Sequence, residues 1–252
     1  MRVFLTGASS GIGAALARHY GARRATLGLV ARREQALHDV GRSAGATYEA
    51  YACDVTQPGP MQAAAEAFSA RHGVPDLVIA NAGISHGTLT GEPEDAATFA
   101  DILQVNVLGM VHTFQPFIEP MRARGNGRLA GIASVAGFRG LPGAGGYSAS
   151  KAAAIRYLEA LRVELHGSGV GVSTICPGYV ASPMTEHNPY PMPFLLRADE
   201  AARRIAHAID AGRSFAVIPW QMAIVGRLLA LLPNALYDRL AARAGRKPRR
   251  PR

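Results

Sequence analysis

The chain of 252 residues is poor in cysteine, lysine and acid, and each shortage removes a class of reading. Its only cysteines, Cys53 and Cys176, lie far apart, each inside an apolar run. They offer neither a disulfide framework nor the close ligand spacing of a zinc site, and read as buried thiols, so no metal is expected. Long apolar runs are also missing: nothing approaches the roughly 20 uninterrupted apolar residues that cross a bilayer. Residues 1–5 lead straight into a glycine-rich turn and leave no room for a charged region, an apolar segment and a cleavage site. A cytoplasmic protein is therefore expected. With 18 acids against 27 lysines and arginines the net charge is +9, but residues 239–252 hold seven basic residues and no acid, leaving +2 for residues 1–238. No aromatic residue interleaves with that basic tail, so nucleic-acid binding is not expected, and the tail reads as a solvated, disordered end.

What is present is an alternation of short aliphatic runs with longer alanine-rich stretches, the pattern of strands joined by crossover helices. Strands are expected at 3–6, 26–31, 47–51, 77–80, 127–133, 171–176 and 214–218, with helices near 12–21, 34–42, 58–72, 94–123, 147–167 and 199–212. Right-handed crossovers place such helices on both faces of one sheet. The expected fold is α/β: a doubly wound, seven-stranded parallel sheet of Rossmann-like type, in a single domain over residues 1–238. Ligands bind such sheets outside the carboxyl ends of their strands.

The run Thr6-Gly7-Ala8-Ser9-Ser10-Gly11-Ile12-Gly13 joins the first strand to the first helix. Glycines there let the backbone approach a pyrophosphate at the positive end of a helix. The spacing is weak by itself; its place between a strand and an amphipathic helix gives it weight. The second strand ends in Val30-Ala31-Arg32-Arg33, where an acid would bond the ribose 2′-hydroxyl of NAD. Arginine there presents a fork of donors to a 2′-phosphate, so NADP(H) is the expected cofactor. Asp54, ending the third strand, is placed to accept from the adenine amino group or to cap the next helix.

Tyr147-Ser148-Ala149-Ser150-Lys151 opens a long helix, and a separation of four puts the phenol and the ammonium on one face. A neighbouring cation stabilises the phenolate and brings the phenol towards the range useful for proton transfer. The pairing is informative because the chain has 25 arginines and only two lysines. Ser134, at the carboxyl end of the fifth strand, is placed to hold a substrate oxygen beside Tyr147, or to cap a turn. Asn106 is polar in an apolar helical stretch and needs partners if buried; fixing a relay water is one role for it.

With these residues in hand, the sequence resembles the short-chain dehydrogenase/reductase family in its single-domain form. The resemblance rests on Gly7, Gly11 and Gly13, Asp54, Asn81-Ala82-Gly83 after the fourth strand, Asn106, Ser134, Tyr147, Lys151, and Pro177-Gly178 after the sixth. It implies a catalytic tetrad of Asn106, Ser134, Tyr147 and Lys151. It also implies a cofactor site drawn from Gly7, Ser9, Ser10, Gly11, Ile12, Gly13, Arg32, Arg33, Asp54, Val55, Asn81, Ala82, Gly83, Tyr147, Lys151, Pro177, Gly178, Val180 and Ser182. Ser182 stands where the family carries a threonine. Assembly as a homodimer or homotetramer through the helices near 94–123 and 147–167 is implied as well.

Residues 183–196, where the family carries its substrate lid, are apolar and proline-rich, which points to a small lipophilic carbonyl or alcohol substrate. Residues 220–232 form a helix apolar on two faces: Trp220, Ile224, Leu228 and Leu231 on one, Met222, Val225, Leu229 and Leu232 on the other. One face suffices for packing; the other is left for a subunit, the pocket, or peripheral membrane contact aided by the basic tail. The expected function is NADP(H)-dependent interconversion of a carbonyl and an alcohol. The alternative is a non-catalytic NADP-binding redox sensor or membrane-surface scaffold.

Overall fold

The computed structural model describes residues 1–243 and 245–249. Seven parallel strands, β1 (Arg2–Thr6), β2 (Thr26–Ala31), β3 (Tyr48–Ala52), β4 (Leu77–Ala80), β5 (Gly127–Ile132), β6 (Val170–Pro177) and β7 (Phe215–Ile218), form one sheet in the order β3-β2-β1-β4-β5-β6-β7. The order reverses between β1 and β4, which opens the crevice that ligands use in doubly wound sheets.

The strands read as apolar runs because both faces are covered. Val3 and Leu5 of β1, with Leu77 and Ile79 of β4, point to a layer containing α1 (Gly11–Gly21), α2 (Glu34–Ala44) and α7 (Ala198–Asp210). Phe4, Val78 and Leu129 point the other way, to α3 (Pro58–His72), α5 (Gly109–Arg124) and α6 (Gly145–Glu164). Gly28 makes room on that second face: a Cβ there would stand 2.6 Å from the Phe4 ring and 2.8 Å from Phe68.

The stretch expected as one helix over 94–123 is broken into α4 (Asp95–Leu103), a π-helical turn at Gln104–Leu108, and α5. The turn centres on buried Asn106. Beyond the sheet, α8 (Trp220–Leu231) divides its two apolar faces between different environments. Met222 and Gly226 pack against Gly178 and Phe138, whereas Trp220, Ile224, Leu228 and Leu231 are exposed. Among the described residues no helix is long and apolar enough to cross a membrane.

The structure departs from the sequence reading at the C-terminus. Residues 239–252 were expected as a disordered basic end, yet Arg239 to Ala241 complete a further helix, α9 (Asn234–Ala241). Gly245 to Arg249 then run back over the molecule. Arg249 bridges to Gly87 and ion-pairs with Glu92 and Asp95. Charge neutralisation by this acidic segment orders a run that composition alone assigns to solvent. The remainder of the expected tail, Ala244 and residues 250–252, lies outside the described residues.

Candidate active site

The turn after β1 is built by backbone geometry that side chains would block. Gly7 and Gly11 adopt φ of +66° and +54°, a region favourable only to glycine. At Gly13 a Cβ would fall 2.1 Å from the Gly7 carbonyl oxygen, so no larger residue fits beneath the turn. Asn81, at the end of β4, clamps the loop from the other side: its Nδ2 donates to the carbonyls of Thr6 and Gly7, both at 3.1 Å.

This turn forms one wall of a cavity of about 380 Å³ lying over the carboxyl ends of the strands. Every residue expected to hold the cofactor lines it except Gly13, which supports the turn from below. At one end Arg33 donates to the Ser9 hydroxyl at 3.2 Å, and Arg32 stands 3.9 Å from Asp54 with its side chain largely in solvent. Asp54 is also engaged locally, accepting from the backbone and hydroxyl of Thr56, both at 2.9 Å. These groups fit an NADP(H) molecule: glycine backbone for the pyrophosphate, and two guanidinium groups with a hydroxyl for a 2′-phosphate.

At the other end Ser134, Tyr147 and Lys151 meet. Ser134 caps a short 3-10 turn, its Oγ accepting from the Ala136 backbone at 3.1 Å while it also hydrogen-bonds the Tyr147 phenol. Of the two roles considered for this serine, the turn cap is seen directly. The Lys151 Nζ donates to the Ile132 carbonyl at 2.9 Å and lies 5.7 Å from the centre of the Tyr147 ring. Burial pushes the phenol above its ordinary range, against the Ser134 hydrogen bond, and pulls the lysine down to about 8. The phenol is therefore raised by burial and not lowered as its pairing with Lys151 predicts, and Tyr147 holds its proton at neutral pH.

Asn106 lies behind this trio. Its Oδ1 accepts from the Ile84 backbone at 2.8 Å, and its Nδ2 donates to the Ile84 carbonyl at 3.0 Å and to Ser150 Oγ at 2.9 Å. Ser150 Oγ in turn donates to the Tyr147 carbonyl at 2.7 Å. The amide is spent on backbone and Ser150, so it ties the loop after β4 to the first turn of α6. Gly83 separates it from the lysine: a Cβ there would stand 3.2 Å from Asn106 Oδ1 and 3.6 Å from Lys151 Nζ.

Two residues absent from the sequence reading stand in or beside the site. Thr185 lines the cavity and donates to the Val180 carbonyl at 2.7 Å, 3.4 Å from the Ser182 hydroxyl. Lys247 comes from the C-terminus, its Nζ 5.9 Å from the Tyr147 ring centre. A hydroxyl three residues past Ser182 was a signal available for the first; nothing local marked the second.

Comparison with known proteins agrees with this architecture. The family model described as short chain dehydrogenase matches residues 1–191. An uncharacterized oxidoreductase of Myxococcus xanthus is 39% identical over 242 residues, 95% of each chain. A putative ketoacyl reductase of Streptomyces coelicolor is 33% identical over 218 residues, covering 83% of this chain and 82% of that one. Among solved structures, a variant of actinorhodin polyketide ketoreductase with NADPH superposes with a TM-score of 0.78 at 28% identity, over 86% of this chain and 95% of that one. The chain thus belongs to the short-chain dehydrogenase family of oxidoreductases.

Proposed function

We propose that the protein is an NADP(H)-dependent oxidoreductase that interconverts a carbonyl and an alcohol on a lipophilic substrate. One observation carries this reading: the Tyr147 phenol, bonded to Ser134 and beside Lys151, stands at one end of a cleft whose other end holds Arg32, Arg33 and Ser9. A bound nicotinamide supplies or takes the hydride. Ser134 orients the substrate oxygen, and Tyr147, protonated at neutral pH, donates to that oxygen during reduction. Lys151, still mostly an ammonium at pH 7, compensates the charge left on the phenol and would bond the cofactor ribose. Asn106 acts as a positioning residue, holding Ile84 and, through Ser150, the turn that carries Tyr147.

Two guanidinium groups where an NAD site would carry an acid favour the phosphorylated cofactor, and the similar ketoreductase with NADPH supports the same choice. The apolar Met184, Phe194 and Leu195 of the lid segment favour a lipophilic substrate. Exposed Leu108 and Val163, on the π turn and α6, suit assembly as a dimer or tetramer through those elements.

The test is cofactor oxidation across ketones, aldehydes and quinones, with NADPH and NADH side by side. Turnover is expected with NADPH, and Tyr147→Phe is expected to lose about 10²- to 10⁴-fold in kcat while still binding NADPH. Tight NADPH binding with no turnover on a broad panel refutes the catalytic reading. A preference for NADH refutes the cofactor assignment.

A further inference from the structure

The chain end crosses the substrate side of the site. Gly87 donates its backbone N–H to the Pro248 carbonyl at 2.8 Å, Gly245 lies against Tyr190, and Arg246 lies against Gly143. Arg249 fixes the far end with hydrogen bonds of 2.9 and 3.1 Å to Asp95 and 3.2 Å to Glu92. The segment Gly245 to Arg249 is thus a strap joining the loop after β4 to the lid.

Between these anchors, half-buried Lys247 points inward. Its Nζ lies 5.9 Å from the Tyr147 ring centre, and its one hydrogen bond among the described residues is a long one, 3.4 Å to the Met184 carbonyl. Burial lowers its pKa, and among the described residues no neighbouring charge opposes that effect. The contrast with Arg249, which has acids on hand, is informative. A half-buried ammonium with no counter-ion among the described residues is left partly uncompensated, and here it stands 5.9 Å from the ring centre of the residue that meets the reacting oxygen. The phosphate-binding arginines lie at the opposite end of the cleft, so the cofactor's phosphates do not answer it.

We infer that Lys247 is the anion subsite of the substrate: the carbonyl compound is an oxo acid with a lipophilic chain, whose carboxylate, a few bonds from the reacting carbon, pairs with this ammonium. The inference rests on the reductase reading proposed above. It places specificity in the strap and leaves the chemistry to Tyr147, Ser134 and Lys151.

The test uses the full chain, NADPH, and a matched pair: a 3-oxo fatty carboxylate and its methyl ester. The wild type is expected to prefer the carboxylate. Lys247→Met is expected to lose at least about tenfold more in kcat/KM on the carboxylate than on the ester, and Lys247→Arg to retain most of the preference. Calorimetry of the saturated carboxylate binding to the protein–NADPH complex gives a readout free of turnover, with Kd expected to rise about tenfold or more in Lys247→Met. Equal losses on both substrates with unchanged carboxylate binding overturn the inference. Faster turnover of both after truncation beyond Arg243 also overturns it, because the strap is then a plug. Lys247-dependent binding of the carboxylate without any NADPH consumption upholds the subsite while refuting the reductase reading.

Discussion

Lys151 is 4% exposed, donates to a carbonyl, and has no ion-pair partner among the described residues. Its pKa falls from an ordinary 10.5 to about 8, chiefly through burial. Between those values the native chain binds fewer protons at this site than the unfolded chain, so stability rises with pH across that window. A shift of this size corresponds to roughly 3 kcal/mol in total, of which about 2–3 kcal/mol is recovered between pH 7 and pH 10. Replacing Lys151 with Met removes that dependence. It also leaves the Ile132 carbonyl without its donor, at a cost of about 1–3 kcal/mol that does not vary with pH. The assay is urea unfolding of wild type and Lys151→Met, without cofactor, at pH values from 7 to 10. Contributions of Lys247 and other groups largely cancel in the difference, and stopping at pH 10 avoids the opposing effect of the raised Tyr147 phenol. The wild type is expected to gain about 2–3 kcal/mol over the variant as pH rises. A flat difference would mean that the ammonium is solvated in the folded protein, and the electrostatic account of the site would fail with it.

Other consequences follow from the same contacts. Because Lys151 deprotonates near 8, kcat/KM for carbonyl reduction is expected to decline on an alkaline limb close to that pH; a profile level to pH 10 would exclude Lys151 from the rate. Gly13→Ala drives a methyl into the Gly7 carbonyl at 2.1 Å, so NADPH affinity is expected to collapse, with a stability loss of about 1–3 kcal/mol, measurable by fluorescence titration and urea melts. Arg32→Asp with Arg33→Ala is expected to raise the Kd for NADPH while leaving that for NADH within a few-fold, because on the proposed reading the charges removed answer the 2′-phosphate that NADH lacks. Equal weakening of both cofactors would show that these arginines serve the loop.

The parts that could be read from the chain are those where physics acts over a few residues. The short aliphatic run at 3–6 marked β1, and in the structure Val3 and Leu5 face one layer and Phe4 the other, as the two-residue period of a strand requires. The four-residue step from Tyr147 to Lys151 is a single helical turn, and the glycines of the first loop mark positive φ and close approach. Asn106 was legible only as a buried amide in need of partners. Those partners, Ile84 and Ser150, are 22 and 44 residues away. The π turn around Asn106 was not legible, because apolar spacing over 94–123 is nearly the same for one continuous helix as for two joined by a wider turn.

The strap exposes a different limit. Charge-rich, proline-containing sequence at a chain end has too little apolar surface to offset the entropy of ordering, so composition assigns it to solvent. That assignment treats each segment alone. Glu92 to Asp95 read by themselves are an acidic helix start, and residues 245–249 by themselves are a basic end; each is costly to bury singly. Brought together, Arg249 and the acids at Glu92 and Asp95 satisfy one another and fix the backbone at Gly87. With both ends of the strap held, Lys247 has little freedom to withdraw into water. The same ion pairs that order the tail therefore keep an ammonium with no ion-pair partner among the described residues beside Tyr147, and this is why a specificity residue can reside in a segment whose composition marks it as solvent-exposed.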